Sequence, residues 1–321
     1  MIKRKKNRMQ SKVVKRKSKL PFWLFVIALV LLIAFSCGIL IRYTIKKKQL
    51  SNELSLTRLE ELWNNGDYEA VYEQTEYMLE QKPVQKSALV YRGYSCFYLA
   101  VSKTDTSEAL NYIEDAINSL RIALISNRTK SKGQIEYMLA KAYFQKNNFA
   151  SYNYYSDLVI KYFLAAKADG FFANDIPEYL GLAYASLDMT NESISAFTEA
   201  LALRESETLL NAIGEQYFKA GEYAKAKQYL FRVVSESTDD LLVLKSRNIL
   251  GKIYLEENNL FDAREEFEAI LEKDENYADA YYGLGIIFER QGDMIKARAE
   301  WRKALRVQAN HAGAIQKLNK M

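Results

Sequence analysis

Two adjacent stretches near the C-terminal end align with each other without a gap. Residues 244–277 read "LKSRNILGKIYLEENNLFDAREEFEAILEKDENY" and residues 278–311 read "ADAYYGLGIIFERQGDMIKARAEWRKALRVQANH", each 34 residues long. Leu250-Gly251 falls on Leu284-Gly285, Tyr254 on Phe288, Ala263 on Ala297 and Phe267 on Trp301. A period of this length restricts the chain to stacked supersecondary units, because one such unit cannot bury its apolar face alone. Small residues at fixed places let two helices cross closely, and the large residue beside each fills the gap. Only three Pro and thirteen Gly occur in 321 residues, which favours helices for those units.

The pattern resembles the tetratricopeptide repeat (TPR), whose first helix carries W-x-x-L-G-x-x-Y and whose second carries A-x-x-x-F-x-x-A. The last full unit has it as Tyr281, Leu284, Gly285, Phe288, Ala297, Trp301 and Ala304, with "RQGD" at 290–293 as the turn. Earlier units keep the register through Ile213, Gly214, Tyr217, Gly221, Ala226 and Leu230, and through Leu180, Gly181, Tyr184, Phe197 and Ala200. Gly66, Tyr68 and Pro83 do so in the first, and Gly93 opens a degenerate one. The resemblance implies an all-α, right-handed superhelix over 52–321. Its units are expected near 52–85, 86–132, 133–173, 174–206, 207–243, 244–277 and 278–311, with a closing helix at 312–321.

The N-terminal segment is of another kind. Residues 1–50 hold fourteen of the 45 Lys and Arg and none of the 40 Asp and Glu, which leaves −9 over 51–321. A nucleic-acid-binding body would be basic, so none is expected. After the basic tail 1–19, no charge appears from Pro21 to Ile41. A helix of that length reaches about 31 Å, near the thickness of a bilayer core. A retained transmembrane helix over 20–43 and a linker at 44–51 are therefore expected. The more basic flank precedes the run, so the N-terminus is expected in the cytoplasm and the repeats on the extracytoplasmic side of the inner membrane. "IAFSC" loosely resembles a lipobox and makes lipidation of Cys37 the alternative anchorage, but "GILI" continues the apolar run past it.

Catalytic chemistry finds no foothold. The sequence has a single histidine, His311, and its two cysteines, Cys37 and Cys96, lie far apart, so no zinc spacing exists. "GLGIIF" at 283–288 lacks the third glycine of a dinucleotide fingerprint and belongs to a repeat helix. No enzyme activity, cofactor or metal is expected. Asn127 and Asn191 open chance glycosylation triplets.

What remains is binding. The family's inner face is built mainly from the first helix of each unit, and its ligands are extended peptides or helices of partner proteins. Carried over by register, the candidate groove begins with Tyr91, Tyr94, Phe97 and Tyr98, then Tyr137, Lys141 and Phe144, then Tyr179 and Leu182. It continues with Asn211, Glu215 and Phe218, then Asn248 and Lys252, then Tyr282 and Ile286. One branch of the family clamps the C-terminal carboxylate of chaperones. Asn248 and Lys252 stand at two clamp places, but Tyr282 and Ile286 follow, so that ligand is not expected. Anchor and repeats together lead to the expectation of a membrane-anchored scaffold that binds a protein partner in bacterial envelope assembly, secretion or quality control.

Overall fold

The computed structural model describes the backbone of residues 20–125 and 131–320, with the side chains of 20–29 and 48–54 left out. The basic tail 1–19 and the Asn127 triplet lie outside the described residues. Fifteen α-helices and no strand are present among the described residues. The chain divides into two compact units, Met1–Gly66 and Asp67–Met321.

The first unit contains α1, Leu20–Asn64. It is one continuous helix, so residues 44–51, expected as a linker, are helical. Among the described residues no helix is long and apolar enough to cross a membrane. Residues 20–29 of the expected span lie outside the described side chains. From Val30 to Ile45 the apolar side chains stand exposed, Leu32 by 68% and Phe35 by 72%. Cys37 is exposed and free in the middle of α1.

The second unit is a run of helices. It opens with α2 (Tyr68–Gln81) and continues as pairs: α3 (Lys86–Ser102) with α4 (Thr106–Ile125), and α5 (Lys132–Ala150) with α6 (Ser156–Ala168). Next come α7 (Ile176–Ser186) with α8 (Thr190–Leu203), and α9 (Glu207–Lys219) with α10 (Tyr223–Glu236). Then follow α11 (Asp240–Glu256) with α12 (Leu260–Lys273), α13 (Ala278–Arg290) with α14 (Met294–Val307), and the short α15 (Ala312–Asn319). Each helix packs on its chain neighbours, and first helices of successive pairs also touch, α9 on α11 and α11 on α13.

Local chemistry sets the breaks. Gly221 and Gly292 take left-handed φ values of 74° and 82° at the turn inside their pairs. Asn258 (φ 58°) and Asp188 (φ 55°) take that conformation in pairs lacking the glycine, as short polar residues tolerate it best. At two of these turns the next residue caps the second helix: Asp293 accepts from the Lys296 N–H and Asn259 from the Asp262 N–H.

The small-residue positions explain the pair geometry. A Cβ on Gly251 would lie 2.7 Å from the Phe267 ring, and one on Gly285 would lie 2.3 Å from Trp301. Both rings are fully buried, in a core that also takes Ile270, Ala280, Ile287, Ala304 and Ala314. Ala314 belongs to α15, so the closing helix covers the last apolar face. Ser193 of the second glycosylation triplet is fully buried and donates to the Gly181 carbonyl at 2.8 Å.

Candidate functional site

The candidate groove residues separate into three groups. Tyr94 (9% exposed) and Phe97 (5% exposed) pack inside, and the Tyr94 hydroxyl donates to the Gln134 carbonyl at 3.3 Å. Tyr98 stacks on Tyr68 at 4.8 Å, and Tyr91 is half-buried. Tyr282 leans on His311 at 5.0 Å, beneath α15. At the aromatic N-terminal end of the expected groove, Tyr94 and Phe97 are thus internal packing, whereas Tyr98 is exposed.

The second group forms a cluster of α5, α6 and α7. The Tyr137 hydroxyl donates to Asp175 Oδ2 at 2.7 Å, and Lys141 Nζ donates to Asp175 at 3.1 Å and to the Tyr137 hydroxyl at 3.2 Å. Lys141 also sits 5.2 Å from the ring centroids of Tyr137 and Tyr179. Tyr179 packs against Phe144 and Phe163, and Leu182 is exposed. Burial and the Asp175 hydrogen bond push the Tyr137 phenol up to about 12. The Lys141 cation is thus engaged within the fold.

The third group lines a cleft of about 250 Å³ between α9 and α11. Asn211, Glu215, Phe218, Asn248 and Lys252 come together there, joined by Lys219, Lys245, Ile249 and Tyr277. Asn211 and Asn248 are 8% and 7% exposed. Asn211 Nδ2 donates to Ser246 Oγ at 2.7 Å. Asn248 Nδ2 donates to Asp279 Oδ2 at 3.0 Å, while its Oδ1 is buried with no hydrogen-bond partner. Since its NH₂ is held, that amide has a fixed orientation, with an acceptor still to be satisfied.

Asp279, at the start of α13, organises this end of the cleft. Lys252 Nζ donates to its Oδ2 at 2.7 Å. His311 Nδ1 accepts from the Ala314 N–H at 3.1 Å, so Nε2 carries the proton it gives to Asp279 Oδ1 at 2.9 Å. Burial pushes the Asp279 carboxyl up, but Lys252, Asn248 and His311 more than offset it and hold it at about 2. Asn248 and Lys252 therefore already hold a carboxylate, one supplied by the next repeat. Glu215 pairs with Lys219 at 3.3 Å. Lys245 is exposed at the rim, with no ion pair among the described residues.

The register singled out one face of each first helix and so found five of the lining residues. It missed Tyr277, which comes from the segment before α13, and Asp279, whose partners lie one repeat away. Lys245 was legible in retrospect, since it stands one turn before Ile249 on the same side of α11. No group of side chains able to hold a metal occurs among the described residues.

The sequence pattern of the tetratricopeptide repeat family matches residues 250–315. The chain is 28% identical over 142 residues to the anaphase-promoting complex subunit CDC16 of Saccharomyces cerevisiae, covering 42% of this chain and 17% of that protein. It is 29% identical over 146 residues to superkiller protein 3 of Schizosaccharomyces pombe, covering 42% of this chain and 10% of that protein. The chain thus spans a sixth or less of the length of these relatives. The fold is similar to that of the C-terminal part of a TPR repeat-containing protein from Cytophaga hutchinsonii. The TM-score is 0.55 at 15% identity, over 80% of this chain and 97% of the other. Residues 250–315 thus match the tetratricopeptide repeat in sequence, and the fold of the chain is similar to that of a TPR repeat-containing protein over 80% of its length.

Proposed function

We propose that this chain is a membrane-anchored scaffold that captures an extended segment of a partner protein in the cleft between α9 and α11. The observation that carries the binding reading is the cleft itself, where Asn211, Glu215, Phe218, Asn248 and Lys252 converge between α9 and α11. About 250 Å³ is below the usual range for a drug-sized ligand and suits one or two side chains of a longer chain. Phe218, Ile249 and Tyr277 supply apolar contact, and Lys245 supplies a charge for an acidic side chain at the rim. Asn248→Ala and Lys245→Glu should each weaken capture of a crosslinked partner about tenfold, the effect of an interface residue worth roughly 1.4 kcal/mol. Helicity should not change. Undiminished capture by both variants would remove the cleft from the reading.

The anchor rests on the sequence: the uncharged run Pro21–Ile41 between basic flanks. It places the N-terminus in the cytoplasm and the repeats on the outer side of the inner membrane, where a scaffold serves envelope assembly, secretion or quality control. Protease added to spheroplasts should digest the repeats, and their protection would reverse the topology. Acyl labelling that disappears in Cys37→Ser would move the anchorage to a lipid on that cysteine.

A further inference from the structure

The outer faces of α2 and α14 carry exposed charge, much of it without an ion pair among the described residues. On α2, Glu69, Glu73, Glu76 and Glu80 follow at i, i+4, i+7 and i+11, the spacing of one helix face. That face is opposite the buried Val71, Thr75 and Met78. All four carboxylates are exposed, and none makes an ion pair or hydrogen bond among the described residues. Like charges at this spacing repel, by about 0.2–0.5 kcal/mol per pair. Tyr77 stands among them, 59% exposed.

The opposite holds on α14. Arg298, Arg302 and Arg306 follow at i, i+4 and i+8, away from the buried Ala297, Trp301 and Ala304. Arg302 and Arg306 are exposed and have no partner among the described residues, whereas Arg92, Arg232, Arg247 and Arg264 all pair with carboxylates. A shallow depression there is lined by the apolar Ala299 and Leu305 and by Arg302, Lys303 and Arg306, of which Lys303 already pairs with Glu300. Ile295, on the same side, is 84% exposed. Residues 278–321 hold eight Lys and Arg against four Asp and Glu, while 51–277 hold 23 against 36. The basic face is thus confined to the last unit of an otherwise acidic array.

We propose that α2 of one copy docks on α14 of another, so that the repeat arrays associate head to tail. Tyr77 covers Ala299 and Leu305, and the glutamates pair with Arg302 and Arg306. The spacing fits, since residues four apart are about 6 Å apart along either helix. An aromatic ring among carboxylates meets apolar side chains among guanidinium groups, which also favour the ring face. The two faces differ and five helix pairs separate them in the chain, so the contact is heterologous. Each added copy then leaves one free α2 and one free α14, and growth continues. The contact is built on exposed charges, so it is weak and sensitive to salt. It does not use the α9–α11 cleft.

Sedimentation velocity of the full chain in neutral detergent tests it, at low salt and at about 0.5 M salt, where the screening length falls to a few ångströms. Growth with concentration is expected at low salt, at least tenfold weaker at high salt. Arg302→Glu with Arg306→Glu, and separately Glu73→Arg with Glu76→Arg, should each abolish growth. Mixing the two variants should restore it, because each acidic face then meets a basic one. Tyr77→Ala should weaken growth without changing charge. A wild type that stays monomeric in both salts overturns the proposal, as does a mixture of the variants that stays dispersed. So does an α14 variant that loses binding to anionic lipid vesicles while the α2 variant still associates, which would give α14 to a lipid surface.

Discussion

Trp301→Ala should destabilise the C-terminal repeats by about 3–5 kcal/mol, the cost of emptying a fully buried aromatic site. The size of the effect follows from what surrounds the ring. Gly285 faces it on α13 with no side chain to move into the space, and a Cβ there would already lie within 2.3 Å of the indole. The site cannot collapse without shifting a helix, so the cavity remains. The ring also joins three elements, since Ala314 of α15 shares its cluster with Leu284 and Ile287 of α13. Loss should therefore spread along the array, because each repeat is stabilised by its neighbours. Hydrogen exchange should show α13, α14 and α15 losing protection together, with α3 to α6 unaffected. Trp301→Phe should cost much less. The indole N–H has no hydrogen-bond partner to lose, and most of the apolar volume is kept.

Asp279→Ala has the second large effect, and it joins stability to the cleft. The substitution strips an acceptor from Asn248, Lys252 and His311 at once. Hydrogen bonds to a charged group contribute about 1.5–3 kcal/mol each when buried. This carboxylate is 36% exposed, so a total near 2 kcal/mol is expected. Capture of a partner should fall as well, because Asn248 and Lys252, which line the cleft, lose the carboxylate that holds them. The acid titration separates this from ordinary destabilisation. The folded state holds Asp279 at about 2, below its usual value of 3.8. Its contribution is complete above about pH 4 and is lost as pH falls toward 2. Over that window wild type should lose about 1–2 kcal/mol more than Asp279→Asn, after allowance for solvent screening. Parallel acid curves for the two proteins would remove Asp279 from its place as the organising group.

Helices α7 to α14 were legible because their signals are local. A glycine or short polar residue at each turn, and a glycine facing a large side chain of the partner helix, recur in register. Gly285 with Trp301 and Gly251 with Phe267 needed nothing beyond the register. The aromatic stretch from Tyr91 to Tyr98 was harder to read. Its register allowed both groove and core, and burial depends on how far neighbouring helices separate, which the inserts change.

The sequence by itself determined the helical repeat, the segregation of charge and the apolar run ahead of the repeats, since each depends on residues close together in the chain. Tertiary structure alone decided which first-helix residues share a cleft, and that Asn248 and Lys252 already hold Asp279. It also decided that His311 links that carboxylate to the closing helix. Those contacts join residues 27 to 32 positions apart, from one repeat to the next or from one end of a repeat to the other. Periodicity fixes which side of its own helix a residue occupies, whereas the stacking of one repeat on the next fixes what that side meets.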